Sequence, residues 1–410
     1  MRPRLSMLII DPDKKNRDYS ELTTIDIVGI GEKTIDVNVI ENTENLNANL
    51  NRYKGFDCIA SIGNVDTMPL TNSSFEIRKK WVHLPEYNKD ILENSLINTF
   101  ICNIERDRGN DKLFSIFTCT FNTPKNVIMR LYDSLVKQTY KNWNWWVLDD
   151  SSAAGSVSDY LMKLNDPRII IIKNISNHGV IGFNKHVIAS ACDGDYLVEI
   201  DHDDEITPDC LELLKKAFEA YPDSDFVFSH AYEEMDGIPV WYNGPFGLGQ
   251  GYYSDEIVNG ELVKAVPMTP DVTYLTLRHI VGLPNHVRCW KKDFYHRIGG
   301  HNIELAVLDD MDILIRTFLH GTMCKVDKVL YIQHEGSSND NNGRGSTTQG
   351  NRYSEILRTG VLLRWKYDRQ IHERLLELGY EDPIWNDEKG YSEIKIITEK
   401  LPAINHTYKP

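Results

Sequence analysis

Short apolar runs alternate with amphipathic stretches along the middle of this chain, in the order that a parallel α/β sheet and its helices produce. Phe114 to Phe121 is predicted as a buried strand, and Val127 to Gln138 as a helix with one apolar face. Further strands are predicted at Trp145 to Leu148, Arg168 to Lys173 and Tyr196 to Ile200. We therefore expect a doubly wound, mostly parallel sheet flanked by helices, with ligands bound at the carboxyl ends of its strands.

Two further regions adjoin this central one, which spans residues 111–338. Residues 1–110 contain short apolar runs separated by turns and predict a small α/β N-terminal domain, whose role stays open. Residues 339–410 predict the remainder of a flexible loop and a helical C-terminal extension. The loop is polar and glycine-rich from Gly336 to Arg352, and the helix is predicted from Tyr353 to Tyr380.

Composition and charge narrow the class of protein. The 410 residues are 41% hydrophobic and 26% charged, as in an ordinary globular protein, and the net charge of −15 argues against a nucleic-acid partner. The seven cysteines form no CxxC pair and indicate buried thiols in a reducing compartment. The apolar run near the start is too short for a signal peptide, and no stretch approaches the ~20 apolar residues of a transmembrane segment. A cytoplasmic location is therefore expected.

Three carboxylates crowd into the four positions Asp201-His202-Asp203-Asp204, directly after the last of these predicted strands. A helix start follows, with Thr207 as its N-cap and Pro208 at the first helical position. Acidic side chains at one strand end repel each other unless a cation lies between them, and Mn²⁺ or Mg²⁺ suits oxygen ligands. A solvated acidic turn explains the tetrad alone equally well, but its place at a strand end favours a metal site.

A second acidic turn, Asp149-Asp150-Ser151-Ser152, closes the second predicted strand of the central region. Its carboxylates can accept hydrogen bonds from a uracil-type base and a ribose, with Thr118, Thr120 and Asn122 lining the same edge. The alternative is an Asx turn capped by serine, which is common at strand ends. Because both acidic clusters lie at the predicted ligand-binding edge, their shared position favours a functional role.

In combination these motifs resemble those of the inverting, nucleotide-sugar-dependent glycosyltransferases of family 2. The resemblance runs from Phe114 to about Ser338. Besides the two acidic turns, its segments are Asn177-His178-Gly179 followed by Gly182, and Gly299-Gly300 followed by Asp309-Asp310-Met311-Asp312 and Arg316. It implies the GT-A fold, a Rossmann-like and mostly parallel sheet flanked by helices. It also implies a metal-dependent enzyme that moves a sugar from a nucleotide diphosphate sugar, UDP-type by expectation, to a hydroxyl of a glycan or other acceptor.

The resemblance implies roles for individual residues as well. Asp310 matches the general base that takes the proton of the acceptor hydroxyl. Asp203 and Asp204, with His334, match the metal ligands, and the spacing leaves open which carboxylate touches the metal directly. The expected donor-nucleotide contacts are Thr118, Thr120, Asn122, Asp149, Asp150, Lys185, Asp201 and Asp203, with Lys185 set against phosphate.

The acceptor side is predicted from aromatic side chains, because the C–H faces of sugar rings are apolar. Tyr232 to Pro284 is rich in aromatic residues and glycine with weak periodicity, and this section is expected to be an insertion that shapes a pocket. Trp241 and Trp290, together with Asp309, are the candidates for contacts to acceptor or sugar.

The polar loop that ends at Arg352 is expected to close over the donor and exclude water. Arg344 or Arg352 would then pair with the diphosphate. A connector without a functional role is the alternative.

Two other functions stay open from the sequence. A nucleotidyltransferase also joins an α/β sheet to metal-binding aspartates, but a glycine-rich, basic phosphate loop would follow its first strand, where Thr120-Phe121-Asn122-Thr123-Pro124-Lys125 stands instead. A non-catalytic carbohydrate-binding protein of glycosyltransferase ancestry is the second alternative, and the presence of Asp203, Asp204 and Asp310 argues against it. The expected partners are a nucleotide-sugar donor and a glycan or glycoconjugate acceptor.

Overall fold

The computed structural model of the chain forms two compact units, residues 1–111 with 158–170 and residues 112–157 with 171–410. The residues it describes are 4–27, 31–41, 46–53, 55–66, 70, 77, 80–84, 86–89, 92–93, 112–151, 157–164, 166, 168–242, 245–334, 347–388, 390–391, 397 and 399–410.

The smaller unit is built on a five-stranded sheet in the order β2-β3-β1-β4-β5. Its elements are β1 (Arg4–Ile10), β2 (Thr24–Ile27), β3 (Gly31–Ile40), α1 (Leu46–Tyr53), β4 (Cys58–Ile62) and β5 (Trp81–Leu84). All neighbouring strands are parallel except β2, which runs antiparallel to β3. Met7 and Ile9 of β1 pack into one apolar cluster, and Leu8 and Ile10 pack into another. A continuous apolar run therefore forms a strand that is buried on both faces.

The larger unit is built on a sheet in the order β10-β16-β11-β15-β9-β6-β7-β8, with β12 beside β11 and β19 beside β16. Its strands are β6 (Phe114–Thr120), β7 (Trp143–Asp149), β8 (Ile169–Lys173), β9 (Tyr196–Glu199), β10 (Glu205–Ile206), β11 (Phe226–Met235), β12 (Ile238–Pro239), β15 (Arg288–Lys291), β16 (Met323–His334) and β19 (His406–Tyr408). Strands β6, β7, β9, β11 and β16 point the same way, whereas β15 and β10 run antiparallel to their neighbours. The predicted α/β class with a mostly parallel sheet is confirmed.

Helices connect and flank these strands. They are α2 (Lys125–Val136), α3 (Val157–Leu161), α4 (Ile181–Ala191), α5 (Cys210–Ala220), α6 (Thr276–His279), α7 (Lys292–Arg297), α8 (Asp309–His320) and α9 (Thr347–Glu377). In α2 the buried positions Val127, Ile128, Leu131 and Leu135 recur at helical spacing, as the apolar pattern predicted. No helix among the described residues is long and apolar enough to cross a bilayer.

The section from Tyr232 to Pro284 is only partly an insertion. Its first residues extend β11 to Met235 and so belong to the central sheet, contrary to the expectation from its weak periodicity. The remainder holds an antiparallel hairpin of β13 (Tyr252–Val258) and β14 (Glu261–Met268), followed by α6. A last two-stranded sheet joins β17 (Trp385–Asn386) and β18 (Gly390–Tyr391).

The polar loop predicted from Gly336 to Arg352 is shorter than expected, because α9 already begins at Thr347. Residues 335–346, including Arg344, lie outside the described residues.

The parallel direction of the main strands brings their carboxyl ends to one edge of the sheet. Thr120, Asp149, Glu199 and His334 are the last residues of β6, β7, β9 and β16. Because β15 runs antiparallel to β9, its first residue lies at the same edge, and Arg288 pairs in register with Glu199. Both acidic clusters follow strands that end there, so the sheet itself assembles the candidate site.

Gly182 fixes helix α4 against the loop that precedes α8. Its backbone N–H donates to the carbonyl of Leu305 at 3.0 Å. A Cβ atom at this position would lie 2.1 Å from the carbonyl oxygen of Asn302 and 2.8 Å from that of Leu305. These neighbours are backbone atoms, so they cannot turn away as a side chain would.

We expect Gly182→Ala to lower the free energy of unfolding by about 1–3 kcal/mol, as overpacking of a close contact does. Urea unfolding followed by circular dichroism measures the change. Gly360→Ala in α9 is the matched control, since its Cβ would meet only Leu308 at 3.4 Å and Arg364 at 3.6 Å. Equal effects of the two substitutions would contradict this account.

Candidate active site

Asp150 holds the glycine turn that follows β8 rather than offering a free carboxylate to a nucleoside. Its two oxygens accept hydrogen bonds from the side chains of Asn174, Asn177 and Asn184 and from the backbone N–H groups of His178 and Gly179. Burial opposes ionisation, but these donors outweigh it and lower the pKa of Asp150. In this structure Asp150 is an anchor for the turn, and its role as a donor-nucleotide contact stays a prediction.

The other residues predicted along this edge have different surroundings. Thr118 is buried, and its hydroxyl accepts the indole N–H of Trp145 at 3.0 Å, which places it in the core instead of the site. Thr120 is also buried, and its hydroxyl lies 3.4 Å from the carbonyl of Leu148. Asn122 follows at a turn with a positive φ of 52°, and its N–H donates to Ser151 Oγ. Asp149 is buried, and its carboxylate accepts the N–H of Ser151 at 3.1 Å.

The tetrad contains one buried carboxylate that the strand β16 holds in place. Asp204 accepts a hydrogen bond from Tyr331 Oη at 2.7 Å and another from the backbone N–H of His334 at 2.9 Å. Burial raises the pKa of Asp204 well above its usual range, and the charges of Asp203 and Asp201 raise it further. The structure thus places the backbone of His334 against Asp204, while the metal-ligand roles of both residues stay predictions.

His334 lies between two glutamates because β16 lies between β10 and β11. It pairs in register with Glu234 of β11, and Glu205 of β10 pairs with Ile332, two residues before His334. Its Nε2 is 2.8 Å from Glu205 Oε1, and its Nδ1 contacts Glu234 Oε1. Both ring nitrogens therefore face carboxylates, an arrangement that holds the imidazole in one orientation.

The remaining two carboxylates of the tetrad are open to solvent. The side chains of Asp201 and Asp203 are 41% and 39% exposed. Asp203 Oδ1 lies 3.9 Å from His202 Nδ1, and the Arg130 guanidinium donates to the backbone carbonyl of Asp203. The charges of Asp201 and Asp203 act on Asp204, and carboxylate oxygens are the ligands that a hard divalent cation prefers. Among the described residues, these three carboxylates do not place one oxygen each within 4.8 Å of one another, so a bound cation would have to draw them together.

A buried charge cluster lies beside the tetrad, centred on Glu199. Lys185 Nζ is 2.5 Å from Glu199 Oε1, and Arg288 Nη1 is 3.7 Å from the same oxygen. His286 Nε2 lies 3.9 Å from Oε1 and His301 Nε2 lies 3.6 Å from Oε2. Burial would raise the pKa of Glu199, but Lys185 and the two histidines hold it well below its usual range.

Lys185 belongs to this cluster and not to an open phosphate site. Besides Glu199 it contacts Asp309 Oδ2 at 3.4 Å and Asp201 Oδ1 at 4.0 Å. Asp309, in turn, is buried, with His301 Nε2 at 3.8 Å from its carboxylate. Lys185 and Asp309 compensate each other's charge in this structure, and their contacts to phosphate and to acceptor stay predictions.

Glu199, Asp201 and His286 also bring three ligand-type atoms within 4.8 Å of one another. This trio is a poor cation site, because Lys185 and Arg288 already compensate the Glu199 carboxylate. A divalent ion there would meet two buried positive charges.

Asp310 stands in the first turn of α8 with its carboxylate partly exposed. Its Oδ2 is 3.3 Å from Arg288 Nη2, and that guanidinium also donates to the carbonyls of Gly282 and Pro284. A Cβ at Gly282, whose φ is +74°, would lie 2.9 Å from Asp310 Oδ2. Glycine at this position therefore lets the backbone approach the same oxygen that Arg288 contacts.

Arg316 explains why the glycine pair and the acidic helix start occur together. Its guanidinium donates to the carbonyls of Ile298 and Gly300 at 2.6 Å and 2.7 Å and forms an ion pair with the buried Asp312. The arginine thus ties the turn to the first turn of α8, which sets the position of Asp310.

Asp310 and Asp201 line one cavity of about 490 Å³ at the carboxyl edge of the sheet. Arg288, His286 and Gly282 form part of the same wall, and the section after β11 supplies much of the rest. The cavity is further lined by Glu233, Tyr242, Phe246, Gly247, Pro267, Met268, Thr269, Pro270, Ile280, Val281, Leu283, Asn285 and Gln333. The expectation that this section shapes a pocket is met by the structure.

The two tryptophans predicted for the acceptor differ in surroundings. Trp241 is 64% exposed and stacks on Tyr253, with ring centroids 4.4 Å apart. Trp290 is fully buried in β15, and its indole donates to Thr317 Oγ1 at 3.0 Å, so it belongs to the core and cannot contact an acceptor.

Arg352 donates to the carbonyl of Ala306 at 3.0 Å and lies 3.5 Å from that of Gly179.

Sequence reasoning missed Glu199, Arg288, His286 and His301. A glutamate in the otherwise apolar run from Tyr196 to Ile200 was the available signal for the first. The positions of Arg288 and His286 depend on the register of β15, and the position of His301 depends on the turn after the glycine pair.

Comparison with known proteins agrees with the resemblance carried by the motifs. Residues 115–269 match the family model described as glycosyl transferase family 2. The chain is 29% identical over 234 residues to the putative colanic acid biosynthesis glycosyl transferase WcaA of Escherichia coli (strain K12), covering 55% of this chain and 73% of that protein. It is 26% identical over 204 residues to an uncharacterized glycosyltransferase of Haemophilus influenzae, covering 50% and 61%.

Among solved structures, the S. aureus TarS 1-349 complex with UDP-GlcNAc is 17% identical with a TM-score of 0.46, covering 65% of this chain and 73% of that one. The mannosyltransferase PcManGT from Pyrobaculum calidifontis, in complex with GDP-Man and Mn²⁺, is 14% identical with a TM-score of 0.41, covering 70% and 78%.

Proposed function

Since the chain is a glycosyltransferase of family 2, we propose that it moves a sugar from a nucleotide diphosphate sugar to a hydroxyl of a glycan or other acceptor, with inversion at the anomeric carbon. A UDP-type donor is the specific expectation. The observation that carries the proposal is the shared cavity of Asp310 and Asp201, which joins the predicted base to the edge of the acidic tetrad.

Asp310 takes the proton of the acceptor hydroxyl in this proposal. Its carboxylate lines the cavity and is partly exposed, so an acceptor oxygen can reach it. Arg288 fixes its orientation through Oδ2 and is itself fixed by two backbone carbonyls. The base is therefore positioned before the acceptor arrives, which lowers the cost of reaching the reactive geometry.

Asp203 and Asp204, with Asp201 beside them, would hold a divalent cation, Mn²⁺ or Mg²⁺. When bound, such an ion stabilises the negative charge that collects on the leaving diphosphate. His334 holds this set in position. Its backbone N–H donates to Asp204, and its ring contacts Glu205. We thus place His334 as a positioning residue, since both ring nitrogens already face carboxylates.

The exposed aromatic residues near the cavity suit a sugar acceptor. Tyr242 lines the cavity and stacks on Phe246 with a centroid distance of 5.1 Å, and Trp241 is exposed beside them. Aromatic faces of this kind pack on the C–H faces of sugar rings. The Glu233 carboxylate can accept hydrogen bonds from sugar hydroxyls, and the Asn285 amide can both donate and accept them.

An assay over a panel of nucleotide sugars with Mn²⁺, with and without small glycan acceptors, tests the proposal. We expect turnover with one nucleotide class and a product of inverted anomeric configuration by proton NMR. A product that retains the anomeric configuration would overturn the role of Asp310. Release of pyrophosphate would indicate a nucleotidyltransferase, and saturable sugar binding without turnover would indicate a binding protein.

Replacing Arg288 by lysine is expected to lower kcat about 10²-fold, since a small misplacement of a reacting group has an effect of this size. Lysine keeps the charge but cannot contact Glu199, Asp310 and two carbonyls at once. KM for the donor should change little, because Arg288 acts through Asp310. Steady-state kinetics on the folded variant measures both constants.

Arg278→Lys is the matched control for that substitution. Arg278 is also fully buried and ion-paired, to Asp382 at 2.6 Å, but it is not among the residues that line the cavity. We expect it to lower the melting temperature as Arg288→Lys does while leaving kcat unchanged. Equal losses of kcat in both variants would mean that Arg288 has only a structural role.

A further inference from the structure

The long helix α9 exposes a row of large apolar side chains to solvent. They are Tyr353 (62% exposed), Leu357 (51%), Val361 (47%), Leu362 (57%) and Trp365 (80%). Four of them follow at intervals of four residues, so they share one side of the helix. Single exposed apolar residues are ordinary, but a contiguous row of this kind marks an interaction surface.

The helix does not need this side for its own packing. Leu363 and Tyr367 are the buried apolar residues of the same stretch, and each follows Val361 or Trp365 by two positions, which places it about 200° around the helix. Tyr367 Oη donates to Asp312 Oδ1 of α8 at 2.7 Å. The exposed row is thus additional to a helix that is already docked against α8.

Basic side chains accompany the exposed apolar row. From residue 353 to 369 the exposed charged residues are Arg358, Lys366 and Arg369, and no acidic residue in that range is exposed. Glu355 is half-buried, and Asp368 is buried beside Arg278. Arg369 also contacts Glu373 on the following turn at 3.0 Å. Lys366 Nζ also lies 3.5 Å from the buried Asp312 Oδ1. Exposed basic side chains still outnumber exposed acidic ones on this side, so in a chain of net charge −15 it is a local patch of positive charge.

We propose that the exposed side of α9 binds the surface of an anionic lipid bilayer, with the helix lying in the plane of the interface. Tryptophan, tyrosine and leucine then enter the boundary between headgroups and acyl chains, while the three basic residues meet lipid phosphates. A second copy of the chain fits less well, because a two-fold interface would set these same cations against each other. The charge of the patch therefore selects the lipid surface.

This placement would also orient the active site. Helix α9 packs on α8, and α8 begins with Asp309 and carries Asp310 in its first turn. When α9 lies on the bilayer, the cavity stays at a fixed height above the membrane. This position suits an acceptor carried on a lipid. The binding itself does not depend on the proposed function.

Sedimentation of the full chain with vesicles tests the proposal. We expect binding to vesicles of equimolar phosphatidylcholine and phosphatidylglycerol, little binding to phosphatidylcholine alone, and weaker binding in high salt. Neutralising Arg358 and Arg369 to glutamine should weaken partitioning about fivefold for each charge. Leu357→Ser with Trp365→Ser should abolish it.

Ile257→Ser with Leu262→Ser is the matched control, since both residues are 63% exposed on the β13–β14 hairpin. This variant should bind vesicles like the unaltered chain. All variants should keep transferase activity on a soluble acceptor, which shows that they fold and separates this test from that of the function. Absence of vesicle binding, equal binding by every variant, or a concentration-dependent dimer that forms without vesicles and is lost with Trp365→Ser would overturn the proposal.

Discussion

Asp310→Asn is expected to lower kcat by about 10²- to 10⁴-fold, the usual contribution of a general base. Asparagine has nearly the same shape and can still accept the N–H of Met311 through its Oδ1, as Asp310 does at 2.7 Å. What it loses is the ability to take a proton from the acceptor hydroxyl. The melting temperature and the donor dissociation constant should therefore change little.

Kinetics at saturating donor, together with calorimetric titration of the donor, measure these two expectations. Asp209→Asn is the matched control, because Asp209 also stands at a helix start but is bound to Lys328 and lies outside the residues of the cavity. Its kcat should stay within about twofold of the unaltered enzyme, as for a surface change remote from the reacting groups. An Asp310→Asn variant with full activity would remove Asp310 from the mechanism.

The fold and the position of the site follow from the sequence because acidic turns interrupt apolar runs at strand ends. The Asp149-Asp150 turn and the Asp201–Asp204 tetrad both end strands that point the same way, so their meeting at one edge follows from the topology. The metal and base assignments stay predictions, but the residues concerned lie where the pattern placed them.

The roles of single residues were less predictable, because a motif gives a place and not a partner. Asp150 and Lys185 occupy the expected turn and helix, but their hydrogen bonds and ion pairs go to other protein groups. One partner of Glu199, Arg288, is 89 positions later and reaches it only through the register of an antiparallel strand. Such a register depends on the whole sheet and cannot be deduced from local patterns.

Asp203→Asn and Asp204→Asn are expected to lower turnover by about 10²- to 10³-fold, since a divalent ion at the leaving diphosphate is worth several kcal/mol. Asp203 is the more exposed carboxylate, and Asp204 is buried with a raised pKa. Both should contribute, because the charge of Asp203 acts on Asp204 and a bound cation would relieve that repulsion. Chelation with EDTA should abolish turnover of the unaltered enzyme, and added Mn²⁺ should restore it.

The thermal shift produced by Mn²⁺ separates these carboxylates from the base. The ion should raise the melting temperature of the unaltered chain by mass action, and the shift should be lost in both tetrad variants. Asp310→Asn, in contrast, should keep the full shift while losing turnover, because Asp310 is paired with Arg288 and not with the tetrad. A shift that survives in Asp203→Asn and Asp204→Asn would place the ion elsewhere. If Asp310→Asn lost the shift too, Asp310 would also take part in binding the ion. The proposed separation between a base at Asp310 and a metal site at Asp203 and Asp204 would then be wrong.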